Sequence, residues 1–150
     1  MPNFFLYLTL IAYFGAIGLW LAYFLAQRES CYRAGVWVTA GGLAVHTLAL
    51  IQRAWLVGYL PAATFGEALL VFDWALVAVF LVLNWRYPIK VLGALVAPLA
   101  ALMVSGTLIL PQRHGALSPL LQGFWLTVHI CLTLLGYAAW AWPAWGGFST

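Results

Sequence analysis

Long runs of hydrocarbon side chains, each closed by a short polar or proline-containing break, set the pattern of this 150-residue chain. A helix that crosses a bilayer needs about 20 mainly apolar residues. Five runs reach that length, at roughly 4–26, 34–57, 65–83, 89–110 and 120–142. The first ends at Gln27-Arg28-Glu29-Ser30 and the second at Gly58-Tyr59-Leu60-Pro61. The third is stopped by Asn84 and the Tyr87-Pro88 pair, the fourth by Pro111 and the fifth by Pro143. Pro98 lies inside the fourth run, where its missing N–H predicts a kink. No period-2 alternation marks a strand, and no internal repeat stands out. The connections are short, so consecutive helices should pack as antiparallel neighbours. The expected fold is all-α: an integral membrane bundle of about five transmembrane helices, forming a single domain over residues 1–150.

Composition agrees with the pattern. Hydrophobic residues make up 66% of the chain and charged residues 6%, against about 25% charged in a soluble domain. So few charges cannot cover a water-exposed surface, and lipid must be the solvent for most of it. The net charge of +3 comes from scattered side chains; it argues topology and not nucleic-acid binding. The opening MPNFFLYLTL has no basic segment, and its apolar run is too long for a signal peptide, so it reads as a retained first helix. Cys31 and Cys131 form neither a C-x-x-C pair nor a disulfide framework. Arg28, Arg33, Arg86 and Lys90 fall on one side of the expected bundle, and Arg53 and Arg113 on the other. By the positive-inside rule this places the N-terminus outside and the C-terminus inside. Trp37, Trp55, Trp85, Trp125, Trp142 and Trp145 lie near predicted helix ends, as an interfacial aromatic belt requires.

Against this background His46 and His129 stand out, each embedded in hydrocarbon. A histidine in a lipid-spanning segment has few ways to satisfy its ring nitrogens and is a functional-site candidate by default. Imidazole is also a common ligand of haem iron. Gly41, Gly42 and Ala44 before His46 would let a backbone or a flat ligand approach closely. Arg53 follows seven residues later on the same helix face, where it could pair with a carboxylate or a haem propionate. His46 could equally hydrogen-bond a neighbouring helix while Arg53 snorkels to the interface. Trp125 and Tyr137 share a face with His129 and suit either a porphyrin or a packed core. Glu67 opens the third run, where a carboxylate complements a helix N-terminus. Asp73 is deeper and must be neutral, paired or wet; Arg53 and His46 are its candidate partners. His114 falls in an outer loop beside Arg113. No Walker, Rossmann, zinc-protease or Ser-His-Asp pattern is present, and the few charges do not suit hydrolysis.

The run HTLALIQRAWLVGYLPAATFGEALLVFDWALV resembles the early segment of the cytochrome c assembly protein family of the CcsA/ResC type. There a helix histidine is followed by an arginine, a proline-containing outer turn and a glutamate that opens the next helix. LGALVAPLAALMVSGTLILP and LLQGFWLTVHICLTLLGYAAW continue the likeness, the latter resembling the family's W-L-x-x-H-V helix. The resemblance implies a protein that holds or passes haem at the outer face of the membrane for attachment to apocytochrome c. It implies His46 as the membrane-embedded haem ligand and His129 as the outer one; Arg53 and Trp125, read from the residues as a propionate partner and an aromatic beside a porphyrin, would then lie beside a haem b. It also implies a bacterial-type inner membrane or an equivalent energy-transducing membrane. The family continues with a tryptophan-rich W-G-x-x-W-x-W-D segment and further helices, whereas this sequence closes on Trp142-Pro143-Ala144-Trp145-Gly146-Gly147-Phe148-Ser149-Thr150. That departure suggests either the N-terminal part of a split assembly protein or a shortened relative put to another use, and the partners would be lipid, the remaining half or other membrane subunits, and apocytochrome c. Two other readings follow from the residues: a structural subunit of a larger respiratory or photosynthetic complex, and a proton-coupled transporter using Asp73 and His46. Five helices without inverted repeats fit the transporter poorly.

Overall fold

The computed structural model describes residues 3–58, 64–88 and 90–109, all within one compact unit. The predicted fifth helix, with His114, Trp125 and His129, lies outside the described residues. Four α-helices follow one another: α1 (Phe4–Ala26), α2 (Glu29–Val57), α3 (Phe65–Arg86) and α4 (Lys90–Ile109). Among the described residues there is no strand. All four helices are long and apolar enough to cross a membrane, and the protein is a multi-pass membrane protein. α1 packs on α2 and α4, and α3 packs on the same two, closing the bundle into a ring.

The helix ends show which polar residues the apolar pattern misjudged. α1 stops where Gln27 takes a left-handed conformation (φ 51°) and its N–H donates to the Tyr23 carbonyl. Arg28 is extended, and α2 begins at once at Glu29, not at Ala34. At 1.5 Å per residue the 29 residues of α2 span about 43 Å, against a hydrocarbon layer of about 30 Å. The polar first turns, with Glu29, Ser30 and Arg33, therefore reach beyond the hydrocarbon, where a helix needs no apolar residues. α3 runs through Asn84 to Arg86. Asn84 does not break it because its side chain is buried and accepts a 3.0 Å hydrogen bond from the Tyr32 hydroxyl. The helix ends at Tyr87, extended as the residue before a proline must be. α4 passes through Pro98 without a break in the helix.

Trp20 is the centre of the packing. Its indole is 1% exposed and meets the rings of Tyr32 on α2 and Phe80 on α3 edge-on, with centroids 5.5 and 6.0 Å away. It also lies against Gly35 of α2 and Gly93 of α4, so closely that a methyl group at position 93 would fall within the ring. Lipid is as apolar as leucine, so membrane helices associate through such close packing at small residues and through interhelical hydrogen bonds. Buried hydroxyls are satisfied locally. Thr9, Thr39, Thr47 and Ser105 each donate to the carbonyl four residues earlier, as hydroxyl side chains commonly do in helices.

At one end of the bundle the Lys90 ammonium lies 2.9 Å from Glu29 and over the rings of Tyr23 and Tyr32. This ties the starts of α2 and α4 to the end of α1. Trp55 and Trp85 are exposed near helix ends, as expected for an aromatic belt. Trp37 is exposed too; the early start of α2 puts it two turns inside the helix.

Candidate functional site

The buried residues of α2 are Tyr32, Gly35, Thr39, Gly42, His46 and Ala49, spaced three or four apart. That spacing is one helix face, and it turns His46 into the bundle. The facing stripe on α1 is Leu6, Thr9, Tyr13, Ala16, Trp20 and Tyr23. Tyr13 reaches His46 because Gly42, one turn before the histidine, has no side chain: a Cβ there would lie 2.7 Å from the tyrosine ring. The small residue noted in the sequence thus admits an aromatic side chain of α1. Gly41 and Ala44 are exposed.

Three helices bring polar groups together at this level. The Tyr13 hydroxyl is 3.2 Å from His46 Nδ1, and Asp73 Oδ2 on α3 is 3.7 Å from the same nitrogen. All three residues are fully buried. His46 Nε2 and both carboxyl oxygens of Asp73 have no hydrogen-bond partner among the described residues. The next residue on each of the two helices makes a direct tie, with Trp74 Nε1 donating to Thr47 Oγ1 at 2.9 Å. Of the two candidate partners for Asp73, the structure places His46 beside it and Arg53 elsewhere.

Arg53 lies two turns beyond His46, about 10 Å along the helix axis. Its Nε is 3.4 Å from Glu67 Oε1, with the two side chains 15% and 3% exposed. Glu67 also completes a capping box at the start of α3: the Thr64 N–H donates to Oε2, and the Glu67 N–H donates to the Thr64 hydroxyl. Glu67 therefore combines the expected helix-capping role with an ion pair to α2. Leaving a buried carboxylate without its cation is costly. Arg53→Ala is expected to destabilise the bundle by about 2 kcal/mol, below the range for a fully buried pair because the Thr64 N–H remains on Glu67. Glu67→Gln should cost less, since an amide keeps the capping acceptor and needs no counter-charge. Thermal melts in detergent would reverse this ranking if the pair were not a source of stability.

Tyr13 is the residue of the candidate site that the sequence did not single out. Attention to ionisable side chains passes over a tyrosine, but the stripe Thr9, Tyr13, Ala16, Trp20 would have pointed inward. His129 and Trp125 fall outside the described residues. Among the described residues no three His, Cys, Asp or Glu side chains converge as a metal site. The donor this part of the chain offers is one imidazole nitrogen, buried and without a partner. A nitrogen of this kind would be able to hold a haem iron.

A model of the cytochrome c assembly protein family matches residues 63–149. The chain belongs to this family. The match takes in Glu67, Asp73, Trp125 and His129, whereas Tyr13, His46 and Arg53 precede it. The cytochrome c biogenesis protein CcsA of Guillardia theta is 28% identical over 136 residues, covering 88% of this chain and 44% of that protein. The CcsA of Nostoc punctiforme is 27% identical over 142 residues, 89% of this chain and 37% of the relative. The CcsA of Trieres chinensis is 33% identical over 94 residues, 59% of this chain and 30% of that protein. This cytochrome c assembly protein thus spans less than half the length of these curated relatives. No solved structure matches it.

Proposed function

We propose that this cytochrome c assembly protein holds or passes haem during maturation of c-type cytochromes, with His46 as its membrane-embedded ligand. The observation that carries the reading is the buried, unpartnered Nε2 of His46, on a chain whose family relatives are named for cytochrome c biogenesis. Haem is the cargo and is of the b type, bound without covalent attachment. Bound there, its iron would accept an imidazole nitrogen. The residues around it have other tasks. Tyr13, admitted by the missing side chain of Gly42, fills the space beside the imidazole, and the surrounding hydrocarbon excludes water. Arg53, held by Glu67 at the edge of the same helix face, offers a cation to a propionate. His129 supplies the outer ligand and Trp125 an aromatic surface beside it.

The partners follow from the same reading. They are membrane lipid, the further helices that its longer relatives carry or other membrane subunits, and apocytochrome c as acceptor. The membrane is a bacterial inner membrane or an equivalent energy-transducing one. The N-terminus is outside, because Arg28, Arg33, Arg86 and Lys90 gather at the opposite end. Catalysis by this chain alone is not part of the proposal. The visible spectrum of the purified protein tests it. A Soret band with a pyridine haemochrome of haem b is expected, either as isolated or after haem addition. A folded, helical protein that shows no band at any added haem concentration overturns the reading.

A further inference from the structure

The polar surroundings of His46 are one-sided. Two oxygen atoms from two different helices lie at Nδ1, the Tyr13 hydroxyl at 3.2 Å and Asp73 Oδ2 at 3.7 Å. None lies at Nε2 among the described residues. An imidazole in this position has two neutral tautomers, and the hydrogen bond made by one nitrogen decides which of them carries the proton. A proton on Nε2 would be a buried donor with no acceptor, a rare arrangement in folded proteins. It would also turn the Nδ1 lone pair toward the lone pairs of Asp73. A proton on Nδ1 donates to the tyrosine oxygen and faces the carboxyl oxygen; the Tyr13 O–H then replaces Nε2–H as the donor without an acceptor, so the Asp73 carboxyl is what decides between the two tautomers. At 3.7 Å Asp73 is beyond hydrogen-bonding reach, so it acts through its field while Tyr13 makes the bond.

We propose that Tyr13 and Asp73 hold His46 as the Nδ1–H tautomer and so keep its Nε2 lone pair bare for an iron centre. The assignment rests on the reading of His46 as a haem ligand. Tyr13 and Asp73 are then positioning residues, which act on a ligand through its far nitrogen. Such outer partners fix tautomer and ring orientation at metal-binding histidines. The local packing keeps this geometry in register. Gly42 leaves room for the Tyr13 ring, and the Trp74–Thr47 bond ties α3 to α2 one residue beyond Asp73 and His46.

The tautomer can be read without haem. The whole chain, labelled with nitrogen-15 in its histidine rings and placed in lipid nanodiscs, contains three histidines. His46→Gln identifies the resonances of His46. The wild type should show a protonated Nδ1 and a bare Nε2. Tyr13→Phe and Asp73→Leu should each raise the share of Nε2–H, whereas Asp73→Asn, which keeps an oxygen at the site, should stay near the wild type. A wild type with its proton on Nε2 overturns the proposal even if no variant folds. Folded variants with an unchanged tautomer overturn it too. In haem titration Asp73→Leu should bind about 10- to 100-fold more weakly, the usual cost of removing an outer partner. A wild type that takes up no haem ends the ligand reading itself. Haem uptake by a protein whose Nε2 is protonated beforehand overturns the positioning role alone.

Discussion

Changing His46 to alanine is expected to abolish the haem absorption band while the helical bundle survives. His46 contributes the one buried imidazole nitrogen without a partner among the described residues, and no group of three or more His, Cys, Asp or Glu side chains forms a metal site there. Without that nitrogen the described helices carry no other imidazole to take its place. Affinity should fall by at least about 100-fold, the upper end of what losing a mere outer partner costs. The fold should be weakened by about 2 kcal/mol, at the low end for emptying a buried site, because the tyrosine loses its hydrogen bond. The helical circular dichroism signal should therefore persist. The cavity left behind has the shape of the lost ring and is bordered by Tyr13 and Asp73, so added imidazole should restore the band in part. An alanine variant that keeps its full Soret band would remove His46 from the site. A variant without the band that imidazole does not rescue calls for His46→Gln, which fills the volume but offers no imidazole nitrogen and should also fail to bind.

The second large effect concerns packing. Gly93→Ala adds one methyl group at the point where α4 crosses Trp20, and that methyl would overlap atoms of the indole ring itself. The ring cannot step aside, because Tyr32, Phe80 and Gly35 hold its other faces. Overpacking of this kind costs about 1–3 kcal/mol and occasionally more. Alanine is otherwise the better helix former by up to about 1 kcal/mol, so a lower melting temperature would oppose intrinsic propensity. Gly18→Ala is the control: no atom stands within 4 Å of the added methyl, and the melt should stay level or rise. Trp20→Phe should relieve the strain in the Gly93→Ala background, so that the double variant is more stable than the two single effects added together. Strict additivity between these two positions would show that the contact is not the cause.

Much of the architecture was legible in the pattern of apolar runs. Four of the five expected helices lie among the described residues, and α1 has the bounds that the pattern gives. The differences lie in polar stretches. Glu29 to Arg33 is helical because a long helix outruns the hydrocarbon, and Asn84 is helical because Tyr32 caps its amide across the bundle. A run of hydropathy records neither effect, since one depends on helix length and the other on a residue 52 positions away. The candidate site divides in the same way. His46 and Asp73 were conspicuous as ionisable groups in hydrocarbon, and the capping role of Glu67 followed from its place at a helix start. The pairing of Arg53 with Glu67 and not Asp73 depends on how far along α3 each carboxylate sits. Tyr13 was hidden because its role comes from the absence of a side chain at Gly42, which is a fact about two helices.

The two-residue reversal at Gln27 and Arg28 has a mechanical consequence. A connector this short has no slack, so it sets the lengthwise register of α1 against α2. Tyr13 and His46 sit on opposite arms of that hairpin, so the register set at the turn also sets the height of one against the other. Asp73 belongs to α3, outside the hairpin. The height of Asp73 against that pair is set instead by the α2–α3 contact that Trp74 makes with Thr47.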